Sequence, residues 1–152
     1  MTSNELKELQ ILACKVRMGI IESTHAAKCG HPGGSMSAAE LFTYLYNKEL
    51  NVDPANPKWE DRDRFVLSKG HTAPGLYTAL ALRGFFPVED LLTLRKVGSY
   101  LQGHPNMNTV PGVDMSTGSL GQGVSVATGM ALAAKHTGKA NRGQSNTVRL
   151  RL

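Results

Sequence analysis

Three of the five histidines in this 152-residue chain directly follow a glycine: Gly30-His31, Gly70-His71 and Gly103-His104. Proline comes next after His31 and after His104. Gly and Pro at these points predict element ends and loops, where backbone approaches a ligand closely and an imidazole is not sealed in a core. There an imidazole can titrate near neutral pH, donate to a phosphate or take a hydroxyl proton. His25 and His136 fall on predicted helices and carry no such expectation. A three-histidine zinc site is the other chemistry open to these residues. Metal histidines commonly include a short-range pair on one helix or strand. The spacings here are 40 and 33 residues, which neither support nor forbid a metal.

A second candidate is Gly118-Ser119-Leu120-Gly121-Gln122-Gly123, which opens a predicted helix rich in small residues. Glycines before a helix N-terminus suit an anion, because free N–H groups and the helix dipole point outward. The run is neither a dinucleotide fingerprint nor a P-loop: its glycines do not match G-x-G-x-x-G, and no G-K-[ST] follows. Cys14 and Cys29 lack C-x-x-C spacing and read as two free thiols.

The elements that must position these residues follow from periodicity. Thr2 to Glu5 reads as a capping box, and Leu6, Leu9, Ala13, Val16 and Ile20 extend it into a long amphipathic helix to about Lys28. Gly30 and Pro32 end that helix. Ser37 to Glu40 repeats the box before a second helix ending near Lys48. Phe65-Val66-Leu67 has the length and apolarity of a buried parallel strand. Thr72 and Pro74 predict the start of a helix with Leu76 and Leu80 inward, and another helix is expected around Val88–Lys96. Residues 97–119 hold four Gly and two Pro without any period, and so long a loop in a compact domain is usually functional or disordered. Leu120–His136 predicts a helix whose Gly121, Gly123 and Gly129 allow close packing. Helices around one strand point to an α/β fold.

Length fits one domain. The balance of 41% apolar and 19% charged residues fits a packed core and excludes a disordered tail protein. No apolar run is long enough for a membrane helix, the N-terminus is unlike a secretory or transit peptide, and the expected home is the cytoplasm. The net charge of +5 comes without a Lys/Arg cluster, which argues against nucleic-acid binding.

Four stretches together resemble the transketolases. They are Gly30-His31-Pro32-Gly33, Asp61-Arg62-Asp63-Arg64-Phe65-Val66-Leu67-Ser68-Lys69-Gly70-His71, Gly103-His104-Pro105 and Thr117-Gly118-Ser119-Leu120-Gly121-Gln122-Gly123. They stand in the family's order and at its approximate spacing over residues 5–142, and the form is most similar to the N-terminal polypeptide of transketolases split in two. The resemblance implies a thiamine-diphosphate enzyme that moves a two-carbon ketol unit between sugar phosphates. The cofactor supplies the carbanion chemistry, while the protein supplies binding, orientation and proton transfer. By the same resemblance His71 would contact the cofactor diphosphate, and Gly118, Ser119 and Leu120 would meet its thiamine part, with backbone groups offered by Gly118 and Leu120. His31 would assist proton transfer on sugar hydroxyls, and His104 would hydrogen-bond substrate hydroxyls near the reacting carbons. Thiamine diphosphate and Mg2+ are the implied cofactors. The implied partners include a C-terminal transketolase subunit, with a homodimeric mate beside it.

Beyond Arg142 the family continues into a strand ending in Gly-Asp-Gly and a metal-binding Asn, whereas this chain reads Gly143-Gln144-Ser145-Asn146-Thr147-Val148-Arg149-Leu150-Arg151-Leu152. The expectation is a partial diphosphate-binding domain over 1–142, an incomplete thiamine-diphosphate-binding fold with a parallel sheet flanked by helices. Residues 143–152 are expected to be an unrelated basic tail arising from a frameshift or truncation, so that this chain supplies no metal ligands. Uncompensated diphosphate charge in a desolvated site costs on the order of several kcal/mol, more than one histidine–phosphate bond returns. The chain alone is therefore expected to be inactive and marginally stable. The rival expectation is a non-catalytic interaction protein that pairs with a transketolase partner chain.

Overall fold

The computed structural model describes residues 1–137, and the expected 143–152 tail lies outside the described residues. Helix α1 spans Ser3–Ala27. Its capping box forms: the Glu5 amide donates to Thr2 Oγ1 at 3.2 Å and the Thr2 amide donates to Glu5 Oε2 at 2.7 Å, an arrangement contributing about 1 kcal/mol. Ala13, Val16 and Ile20 face the core. Lys28, left-handed at φ 51°, ends the helix and donates its amide to the His25 carbonyl.

A short helix α2, Pro32–Met36, follows, then α3, Ala39–Tyr44, which runs into a π-helical turn over Leu45–Glu49. The second capping box does not form. Pro32 starts a turn of helix early, so Ser37 closes α2, donating to the Gly34 carbonyl at 2.9 Å. Helix α3 begins after Ala38 without a side-chain cap.

Helix α4, Ala73–Arg83, is the centre of the molecule: every residue from Ala73 to Ala81 is buried. Here Thr72 does not cap; its hydroxyl donates back to the Lys69 carbonyl and closes a 3-10 turn over Gly70–Thr72. Helix α1 crosses α4 at Gly19, where an added Cβ would stand 2.5 Å from Thr78 Cγ2. Phe42, Leu45, Tyr46, Leu76, Tyr77, Leu80 and Leu101 fill the core, with Phe65 edge-on to Phe42 and Tyr46. The helix expected over 88–96 is a shorter 3-10 helix, Val88–Thr93. Residues 97–119 are irregular, and α5 spans Gln122–His136.

Phe65-Val66-Leu67 is buried as expected but is no strand; among the described residues no strand forms, and the parallel sheet is not among them. A strand exists only when a neighbour completes its ladder. Here side chains take that place. The Phe65 amide donates to Asp114 Oδ2 at 2.7 Å, and the Leu67 carbonyl accepts from Thr117 Oγ1 at 2.7 Å. Asp114 is ion-paired with Arg62 and, at 3.5 Å, with Arg64. Burial still pushes its carboxyl above the usual carboxylate range against those two cations. This knot joins the segment before His71 to the segment before Gly118. No helix among the described residues is long and apolar enough to cross a membrane.

Candidate active site

His31 is the residue before α2, placed by the reversal through Lys28 and Gly30, the latter at φ 136°. His71 lies in the 3-10 turn that leads directly into α4. Forty residues apart in sequence, their rings meet edge to face with centroids 5.0 Å apart and planes at 68°. Lys69 braces the pair: its ammonium donates to the Gly34 carbonyl at 3.2 Å and to Ser37 Oγ at 3.3 Å, tying the His71 turn to α2. Gly34 permits the approach, since a Cβ there would lie 2.8 Å from Thr72 Cγ2 and 3.5 Å from His71 Nε2.

His104 joins from the long loop. Its ring passes 3.5 Å from where a Cβ on Gly118 would stand. The loop is seated against the His71 turn as well: a Cβ on Gly70 would meet the Thr117 carbonyl at 2.7 Å. Burial, together with the positive fields of His31, Lys69 and His104, holds the His71 imidazole below its ordinary value. The neutral imidazole, able both to donate and to accept, is thereby favoured at His71 over the imidazolium.

Gly118, Ser119 and Leu120 are exposed and lead into α5 through Gly121, left-handed at φ 86°. The α5 N-terminus has no side-chain cap. Gly123 presses on the segment before His71, where a Cβ would meet Ser68 Cα at 2.7 Å. Ser68 Oγ is buried there without a hydrogen-bond partner. An imidazole and an uncapped helix start give donors of the kind a diphosphate needs. His25 and His136 are exposed on helices outside this cluster.

No group of three or more His, Cys, Asp or Glu that could hold a metal comes together among the described residues. The three histidines converge without forming a zinc site, and these residues by themselves do not fit a divalent metal.

The model of the family described as transketolase, thiamine diphosphate binding domain, matches residues 9–149. The chain belongs to the transketolase family. It is 48% identical over 133 residues to the 6-deoxy-6-sulfo-D-fructose transketolase subunit SqwG of Clostridium sp. (strain MSTE9), covering 88% of this chain and 48% of that one. It is 44% identical over 131 residues to an apulose-4-phosphate transketolase subunit of Phocaeicola vulgatus, covering 86% and 46%. The solved transketolase of Leishmania mexicana superimposes with a TM-score of 0.82 at 35% identity, over 85% of this chain and 19% of that one. The transketolase-like chain thus spans about half the length of the two subunits and about a fifth of the solved enzyme. Its structural neighbours are α/β proteins, and the part of the chain described here is helix-rich.

Sequence reasoning singled out the three histidines through their Gly-His context. It gave no role to Lys69, Ser68 or Thr117, although all three stand inside the same motifs. Lys69 acts across 35 residues and Thr117 across 50, so only the folded chain displays what they hold.

Proposed function

We propose that this chain is the diphosphate-binding portion of a transketolase, serving transfer of a two-carbon ketol unit between sugar phosphates when joined by the rest of the enzyme. The observation carrying this reading is the convergence of His31, His71 and His104 at the glycine turn before α5. In this proposal His71 donates to the cofactor diphosphate. The backbone of Gly118 and Leu120, with Ser119 between them, receives the thiamine part. Thiamine diphosphate, when bound, supplies the carbanion-stabilising chemistry. His31 and His104, both exposed beside His71, hold and move protons on the sugar hydroxyls.

Mg2+ belongs to the reading only through the family, because the described residues do not gather ligands for it. A C-terminal transketolase polypeptide and a homodimeric mate complete the proposed assembly, in the cytoplasm. Residues 1–142 are proposed as one partial domain, with 143–152 as a separate tail, into which the family match extends as far as residue 149.

The test is ketol transfer with thiamine diphosphate and Mg2+, measured for the chain alone and in a mixture with the rest of a transketolase, its metal-binding segment and C-terminal polypeptide included. Turnover is expected only in the mixture, and His31→Ala or His104→Ala should lower it about 100- to 10,000-fold. Turnover insensitive to both substitutions would overturn the site assignment. A second reading, a non-catalytic chain that pairs with a transketolase partner, is favoured by the exposed Leu120, Val124 and Leu132 on and before α5. Tight pairing without turnover would select it.

A further inference from the structure

Tyr77 is the largest fully buried side chain among the described residues, yet its hydroxyl reaches backbone at the edge of the histidine cluster. Tyr77 Oη lies 2.9 Å from the Gln102 carbonyl oxygen and 2.9 Å from the His104 carbonyl oxygen, so one proton is shared by the two acceptors that flank Gly103. Upstream, the loop fastens itself. The Arg95 amide donates to the Leu101 carbonyl at 2.8 Å, Gln102 Nε2 donates to the Ser99 carbonyl at 2.6 Å, and Tyr100 Oη donates to Asp90 at 2.5 Å. At Gly103 and His104, by contrast, the anchor comes from α4. That helix begins directly after the His71 turn, so His71 and Tyr77 belong to one continuous rigid element, six positions apart.

We propose that Tyr77 is the positioning residue for His104: its hydroxyl fixes the 102–104 backbone to α4 and thereby sets where the His104 imidazole stands relative to His71. Burial keeps the phenol protonated far above neutral pH, so it acts as a donor throughout the working range. Phenylalanine at this position would keep the ring packing and remove only the donor. The 102 and 104 carbonyls would then be free to turn, and His104 would leave its place against Gly118. The functional weight of this inference rests on reading His104 as a substrate-side residue. Its test needs neither cofactor nor substrate, so failure of that reading would leave the outcome unchanged.

The experiment is an NMR titration of the histidine side chains in the full chain, in Tyr77→Phe, and in Tyr100→Phe. The last removes a phenol hydrogen bond from the same loop without touching residues 102–104. Tyr77→Phe should move the His104 imidazole resonances and shift the His71 midpoint upward, as the His104 field withdraws. Tyr100→Phe should lower Tm but leave the His104 resonances and the His71 midpoint in place. Unchanged His104 and His71 titrations in Tyr77→Phe, or equal shifts in both variants, would overturn the proposal. Should Tyr77→Phe fail to fold, the unmodified chain decides. A slowly exchanging Tyr77 hydroxyl proton with cross-peaks to residues 102 and 104 is expected, and a rapidly exchanging hydroxyl would overturn the assignment.

Discussion

At His71, a partly buried imidazole faces three neighbours that are or can become cations: His31, Lys69 and His104. Its proton affinity in the folded chain is lower than in the unfolded chain. The unfolded state therefore binds more protons through the imidazole range, and stability must fall as pH drops from above the ordinary histidine value to below the depressed one. Thermal unfolding followed across that window should show the loss, and His71→Gln should remove part of it. A bound anion reverses the sign of the local field. Inorganic pyrophosphate should raise the His71 midpoint more than that of any other histidine, read by NMR; an equal rise at His25 or His136 would mean non-specific charge screening. Lys69 supplies a third test at this scale. Lys69→Met keeps the stem and removes the ammonium that ties the His71 turn to Gly34 and Ser37. The His31–His71 ring contact should loosen, visible as loss of their mutual NMR cross-peaks, with a loss of stability of about 1 kcal/mol. The Gly-His pairs made these imidazoles legible before folding. The roles of Lys69 and Tyr77 were not legible, because each is defined only by a carbonyl that folding brings from elsewhere in the chain.

Among the elements, two contacts seat the loop and α5 on the His71 segment: Gly70 against the Thr117 carbonyl and Gly123 against Ser68 Cα. Both oppose backbone, which cannot swing aside as a flexible side chain could. Gly70→Ala and Gly123→Ala should each cost about 1–3 kcal/mol in denaturant unfolding and weaken cofactor binding; full stability in both would show the loop is not seated there. Asp114 is the third fastener. Asp114→Ala breaks the buried pair with Arg62 and strands the Phe65 amide, an expected loss of about 3–5 kcal/mol by the same measurement. Helix α1 was readable to within a residue or two because cap and period lie in one local stretch. The Ser37 box failed because Pro32 starts a helix that ends on Ser37. Phe65–Leu67 was readable as buried but not as coil: whether an apolar run becomes a strand depends on its neighbours, and here Asp114 and Thr117 are those neighbours.

Over the whole molecule, burial is uneven. Helix α4 is enclosed, while α5 buries only Gly123 and Ala127 and exposes Val124 at 38% and Leu132 at 63%. With Leu120 at 70% exposed just before it, that face is an aggregation hazard for the isolated chain. Leu120→Glu with Leu132→Glu should increase the monomeric fraction in sedimentation at fixed concentration; unchanged self-association would locate the sticky surface elsewhere. The central claim, that the histidine cluster and the 118–120 turn form one thiamine-diphosphate site, is tested most directly by mapping the cofactor onto the full chain. NMR spectra of the labelled chain, joined by the metal-binding segment and the C-terminal polypeptide of a transketolase and recorded with Mg2+ and increasing thiamine diphosphate, should show shifts concentrated at the imidazoles of His31, His71 and His104 and at the amides of residues 118–120, and these should vanish in His71→Asn. Shifts centred on another surface, or none at millimolar cofactor, would contradict it.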